Sequence, residues 1–272
     1  MVSDIGFHRS FVSDGTVTLH ALCRGHPGKP MVVFANSLGT DARIWDEVVS
    51  RLPDTLGTLL YDKRGHGLSD APRGPYSIED HARDLLSLLD HVGIERCALV
   101  GLSIGGMIAQ AVAAGHPDRV AALVLCDTAA RIGDAATWNA RIDTVERQGV
   151  DAIGDSVMER WFTPAYRSRE PAAVRGWRTM LTRQSPQGYA ATCATVRDTD
   201  LRTAAATIRV PTLCVVGAQD LSTPPDLVRG TADLIPNARF EIIPEAGHIP
   251  CVEQPDALAT LILDHLGRAG FL

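Results

Sequence analysis

Leu99-Val100-Gly101-Leu102-Ser103-Ile104-Gly105-Gly106-Met107 sets one serine between glycines two residues before and two residues after it, with an apolar run on either side. Glycine carries extra backbone entropy and weakens any helix or strand that contains it. Glycines packed around a single hydroxyl imply that the backbone at Ser103 needs room. A Gly-x-Ser-x-Gly between a strand and a helix answers to a nucleophile elbow, a sharp strained turn that lifts the serine above a sheet. The following helix would aim its positive dipole end at the same spot. A glycine-rich strand-to-helix turn can also hold phosphate, but the clear strand before Ser103 and the helix after it favour the elbow.

The elements on either side fit that reading. Residues 10–12 and 17–23 flank Asp14-Gly15 as a hairpin. Short apolar strands are expected at 31–35, 56–61, 97–101, 120–126, 210–216 and 238–243. Between them lie helical stretches at 41–52, 104–114, after Pro224, and from 255 to about 266. Another helix starts at Ser77, with Asp80 three residues on as a variant capping box, and ends at Gly93. Its apolar face reads Ile78, Ala82, Leu85, Leu86 and Leu89. Such alternation implies an α/β fold, a mostly parallel twisted sheet with helices on both faces.

Between residues 128 and 200 the strand signal stops. This stretch is helical in pattern, for example at 135–148 and 152–161, and holds Trp138, Trp161 and Trp177 of the four tryptophans. It is also less acidic than the rest of the chain. It reads as a helical cap inserted into a core made of residues 1–127 and 201–272.

A serine hydroxyl needs a base. His81 and His91 suit a helix surface, and His8, His26, His116 and His265 suit loops or helix ends. His248 differs: it follows the last strand in Pro244-Glu245-Ala246-Gly247-His248, and side chains at strand C-termini converge on one crevice. An acid must fix the imidazole. Asp220 follows a strand and completes the order Ser103, Asp220, His248. Asp127 also ends a strand and competes for the role; it is read as a structural hydrogen-bonding residue. The two oxyanion donors fall to the backbone N–H groups of Ile104 and of Leu38, in the loop Asn36-Ser37-Leu38-Gly39.

Composition narrows the alternatives. The chain has 272 residues, 45% hydrophobic, with net charge −6, which argues against nucleic acid as a partner. No apolar run is long enough to span a membrane and no signal peptide is visible. Six cysteines without a Cys-x-x-Cys suggest reduced thiols in a cytoplasmic protein. Of 26 basic residues only Lys29 and Lys63 are lysine, so any one arginine is weak evidence of a binding role.

With these features in place, the chain resembles the α/β-hydrolase superfamily over nearly its whole length. Asp62-Lys63-Arg64-Gly65-His66-Gly67-Leu68-Ser69 is typical of it. More narrowly it resembles the 3-oxoadipate enol-lactonases, through FANSLGTDARIWD, YDKRGHGLSDAP, DTAARIGDAATWNARI and GYAATCATVRDTDL. Many relatives have His-Gly where this chain has Asn36-Ser37, which puts the small Ser37 hydroxyl beside the acyl oxygen. The resemblance implies a serine hydrolase of aromatic-compound breakdown. It would open a small anionic enol-lactone through an acyl-enzyme, with no metal or cofactor. Arg131 is expected to meet the substrate carboxylate, Trp138 to pack the ring, and Tyr189 to play a lesser part. The same triad also serves general carboxylesterases and cofactor-free perhydrolases of the haloperoxidase type. A non-catalytic small-molecule receptor on this scaffold is the alternative of another class.

Overall fold

A computed structural model describes residues 6–26 and 28–272. Eight strands form one sheet: β1 (His8–Ser13), β2 (Thr18–Arg24), β3 (Met31–Ala35), β4 (Gly57–Tyr61), β5 (Cys97–Leu102), β6 (Val120–Cys126), β7 (Thr212–Gly217) and β8 (Arg239–Ile243). Their order is β1-β2-β4-β3-β5-β6-β7-β8. The β1–β2 hairpin and the β2–β4 pair are antiparallel, and every pair from β4 to β8 is parallel. Strands β3, β4, β5 and β7 are buried at every residue. Helices on both faces therefore leave no solvent-facing alternation, as expected for a parallel sheet.

The helices are α1 (Asp46–Val49), α2 (Ile78–Val92), α3 (Ile104–Gly115), α4 (Ala135–Gln148), α5 (Gly154–Trp161), α6 (Pro164–Arg169), α7 (Pro171–Thr182), α8 (Pro186–Asp198), α9 (Arg202–Ala205), α10 (Pro225–Leu234), α11 (Pro250–Glu253) and α12 (Pro255–Arg268). Helices α4 to α9 intervene between β6 and β7, and α4 to α8 fall where the sequence loses its strand pattern. The capping box at Ser77 forms in full: Ser77 accepts from the Asp80 N–H, and the Asp80 carboxylate accepts from the Ser77 N–H.

Three expectations change. The single helix over 41–52 is instead a 3-10 turn, Ala42–Trp45, followed by the one-turn α1. Asp41 caps it by accepting from the Arg43 N–H, and Trp45 is drawn fully inside against Phe34, with ring centroids 5.0 Å apart. His81, expected on a helix surface, is buried, and so is His265. Helix α2 is rotated so that His81 and Asp84 face inward, while Ala82 and Leu86 are only half-buried. Arg64 makes this rotation tolerable, because it pairs with the buried Asp84 at 2.6 Å through its Nε. A buried charge needs such a partner.

Candidate active site

Ser103 sits between β5 and α3 with φ 57° and ψ −120°, the strained turn its neighbours imply. A Cβ on Gly101 would run into the Gly105 carbonyl, and one on Gly105 into the carbonyl of Ala35 at the end of β3. The glycines thus serve two purposes. They permit the serine's backbone angles, and they let the β3 loop close onto the start of α3. The Ser103 N–H donates to the Cys126 carbonyl at 3.0 Å, and the Ser103 carbonyl accepts from the Thr128 hydroxyl at 2.6 Å. Neighbouring β6 and the loop leaving it therefore hold the turn on both sides.

His248 lies in the loop after β8, buried, its backbone N–H donating to the Trp161 carbonyl at 2.9 Å. Its Nδ1 is 2.9 Å from Asp220 Oδ2. A carboxylate only accepts, so Nδ1 carries the proton and Nε2 keeps its lone pair. Asp220 is itself held: Ser222 N–H donates to Oδ1 at 2.7 Å and the Thr223 hydroxyl to Oδ2 at 2.6 Å. Burial alone would raise the Asp220 pKa. The His248 imidazole and these donors outweigh burial and keep the carboxyl below its ordinary value.

Asp127 occupies the neighbouring position. It too has a positive φ, 45°, and Oδ1 accepts from the Gly217 N–H at 2.8 Å. Complete burial, then the adjacent Asp220 charge, push its pKa well above the ordinary carboxylate value. The two acids are therefore driven in opposite directions, the Asp220 carboxyl down and the Asp127 carboxyl up. Asp127, Asp220 and His248 also bring one ligand atom each within 4.8 Å of one another, the spacing a metal could use. Their oxygens and Nδ1 are already turned toward one another and toward backbone N–H groups, an arrangement that orients an imidazole.

Facing Ser103 is the loop after β3. The Ser37 carbonyl accepts from the Thr40 hydroxyl at 2.9 Å, and the Gly39 N–H donates to His66 Nε2 at 2.9 Å. Among the described residues, neither Leu38 nor Ile104 donates its backbone N–H to a protein acceptor. Leu38, Ser37, Ser103 and His248 line one cavity of about 100 Å³. That is well below the roughly 300 Å³ where drug-sized sites begin, so the cavity suits a small molecule. A larger groove of about 660 Å³ beside Arg73, Pro75 and Arg197 is lined by no serine, cysteine or histidine.

Helices α4, α5 and α8 contribute Trp138, Arg141, Arg160, Trp161 and Tyr189 to the cavity wall. Trp138 is where the sequence placed it, its indole N–H donating to the Ile132 carbonyl at 2.8 Å. Arg131 is not. It lies outside the cavity, half exposed, 3.5 Å from Asp200. The expectation that Arg131 meets a substrate carboxylate is therefore corrected. Neighbouring Ile132 and Gly133 point in, while the Arg131 side chain turns out toward Asp200. Sequence reasoning missed Arg141 and Arg160, because twenty-odd other arginines concealed them. It also missed Glu253, whose carboxylate accepts from the Thr163 N–H and hydroxyl at 2.9 and 2.8 Å and from the Gly247 N–H. This one buried acid ties the His248 loop to the helical insertion.

A family model described as the alpha/beta hydrolase fold matches residues 30–255, and the chain belongs to that family. It is a hydrolase, and within the family it is similar to enol-lactonases. It is 35% identical over 241 residues to 3-oxoadipate enol-lactonase 2 of Acinetobacter baylyi, which covers 89% of this chain and 90% of that protein. The crystal structure of the enol-lactonase from Burkholderia xenovorans LB400 matches with a TM-score of 0.92 at 38% identity, over 95% of this chain and 100% of that one. A thermophilic esterase from Thermogutta terrifontis, solved with malate bound, matches with a TM-score of 0.89 at 28% identity, over 96% and 99%. Among the described residues, no helix is long and apolar enough to cross a membrane.

Proposed function

We propose that this chain hydrolyses a small enol-lactone that carries a carboxylate, as 3-oxoadipate enol-lactone does. The observation behind this reading is that Arg141 and Arg160 line the same small cavity as Ser103 and His248. Among the described residues, no carboxylate pairs with either guanidinium, although most other arginines have an acidic partner. Arg141 instead rests over the Trp138 ring, 5.2 Å from its centroid. An unpaired cation beside a nucleophile, in a chain of net charge −6, is a site for an anionic substrate. Malate bound to the esterase relative is also a small carboxylate.

The chemistry follows from the geometry. Ser103 Oγ attacks the lactone carbonyl and His248 Nε2 takes its proton. Negative charge then develops on the carbonyl oxygen, toward the Leu38 and Ile104 N–H groups. An oxyanion donor of this kind is worth about 3 kcal/mol. The ring C–O bond breaks, His248 returns its proton to the enol oxygen, and the enol becomes a ketone. A water deprotonated by His248 then cleaves the acyl-enzyme, leaving an open keto-diacid. On this reading the chain takes up a small anion, without metal or cofactor, in aromatic-compound breakdown.

The test compares two substrates on wild type and Arg141→Ala. One is the enol-lactone, followed by loss of its ultraviolet absorbance; the other is 4-nitrophenyl acetate, which has no carboxylate. A charge-assisted hydrogen bond is worth about 1.5–3 kcal/mol. Its loss lowers kcat/KM for the lactone by roughly one to two orders of magnitude. Aryl acetate hydrolysis stays within about twofold. Equal losses on both substrates would show that Arg141 is structural. Wild-type turnover of aryl esters but not of the lactone would favour a general carboxylesterase, the reading the esterase relative supports.

A further inference from the structure

Lys63 is one of only two lysines in the chain, and its side chain is buried, 1% exposed. It does not line the catalytic cavity. Its ammonium donates to the Ser37 carbonyl at 2.5 Å, and among the described residues no carboxylate lies within salt-bridge distance of it. A buried lysine without an ionic partner is costly. Here it is spent on a single peptide group, the one between Ser37 and Leu38.

That peptide is the oxyanion loop. A trans peptide is planar, so its C=O and N–H point in opposite directions. Lys63 and the Thr40 hydroxyl hold the Ser37 carbonyl on the protein side. The Leu38 N–H of the same unit is thereby turned the other way, and Leu38 lines the cavity. Next along the chain, the Gly39 N–H is taken by His66 Nε2. Burial and the Lys63 charge keep His66 neutral and so able to accept. Among the described residues the Leu38 N–H has no protein acceptor, while the Gly39 and Thr40 N–H groups that follow it are engaged. A cation on a carbonyl oxygen also draws electron density from the amide, and hydrogen bonds in series strengthen one another.

We propose that Lys63 is a positioning residue of the oxyanion hole, orienting and polarising the Leu38 N–H through the Ser37 carbonyl. This rests on the serine mechanism above and not on the lactone as substrate. Burial lowers the Lys63 pKa to about 7, with Asp62 and Asp41 opposing the shift. His66 on the same turn, His81 on α2 and the Arg64–Asp84 pair complete the charged and titratable groups around it. A lowered lysine pKa means that the ammonium is present in the folded protein below about pH 7 and is lost above it. The polarisation is lost with it.

The experiment measures 4-nitrophenyl acetate hydrolysis by wild type, Lys63→Met and Lys63→Gln across pH 6–9, with thermal melting alongside. Because the probe is a simple ester, the lactone reading can fail without touching this one. At pH 6.5, Lys63→Met lowers kcat and kcat/KM together by roughly ten- to a hundredfold, with KM little changed. Lys63→Gln, which keeps a donor but no charge, loses less. The wild-type rate steps down on the alkaline side, and both variants lack that step. Lys63→Met melts no lower than wild type at pH 6.5, since an unpaired buried charge is replaced by an apolar chain of similar length and Ser37 keeps its Thr40 donors. A residue that only supported the fold would show the opposite pairing, lost stability with unchanged kcat. A folded Lys63→Met with kcat within twofold of wild type overturns the proposal. So does an alkaline step of the wild-type profile that persists unchanged in both variants.

Discussion

On one side of the Ser103 cavity stand the loops leaving β3, β5, β7 and β8; on the other stand helices α4, α5 and α8. The polar groups that the loops gather around Ser103 are buried and held by hydrogen bonds. Asp220 accepts from Ser222, Thr223 and His248, and the Ser37 carbonyl accepts from Lys63 and Thr40. The helices pack mainly through apolar residues such as Val145, Met158, Trp161 and Val196, and their charged pairs lie at the surface, such as Arg178 of α7 with Asp151 and Asp155, both at 2.7 Å and both aspartates exposed. Exposed pairs contribute at most about 1 kcal/mol each. Geometry that must be right to a fraction of an ångström is built on the sheet. The groups to which the proposed function gives the choice of substrate, Arg141 and Arg160, stand on helices α4 and α5.

That contrast is sharpest at the nucleophile. Ser103→Ala lowers kcat by four or more orders of magnitude on either substrate, and His248→Ala does nearly as much. Melting temperatures and circular dichroism stay near wild type, because both side chains face the cavity. Retention of more than about a hundredth of wild-type kcat in Ser103→Ala would break the assignment. The acid beside the base adds a pH dependence of stability: the Asp220 pKa is below 3.8, so its contribution to stability is present above that value and fades only as pH falls through the lower folded one.

The two buried aspartates sharpen the contrast within the loops. Asp220→Asn costs about three to four orders of magnitude in kcat, because the amide favours the wrong imidazole tautomer. Asp127→Asn stays within about tenfold, as an amide can accept from Gly217 N–H and still donate toward Asp220. Its signature is in stability. A carboxyl whose pKa rises on folding binds its proton more tightly in the native state, so native stability falls as pH climbs above about 3.8. Asp127→Asn removes that slope, and denaturant midpoints measured at pH 5 and pH 8 show it. If Asp127→Asn is the more damaging of the two, the acid has been misassigned.

The smallest effect is expected at the outer edge of the helices. Arg131→Ala keeps lactone kcat/KM within about twofold and shifts stability by less than about 1 kcal/mol, because its partner Asp200 is also held by Arg202 at 2.6 Å. A selective loss of lactone activity in Arg131→Ala, with none in Arg141→Ala, would return the anion to the position the sequence first suggested.

Strand and helix succession, the elbow at Ser103, the histidine after β8 and the acid after β7 were all legible from the chain alone. Each is local: periodicity marks the element, glycine marks the strained turn, and in a parallel sheet every strand's C-terminal end opens on the same crevice. What tertiary structure decided was direction. Whether Arg131 or Arg141 meets the cavity depends on how the loop before α4, and α4 itself, settle against α8 and Asp200, and a chain with so many arginines carries no local mark of that choice. Burial of His81 and Asp84 depended on Arg64, which stands on another segment. The unusual lysine at position 63 was visible as a rarity. Only the folded chain shows that its ammonium reaches, across 26 residues, the carbonyl behind the Leu38 N–H.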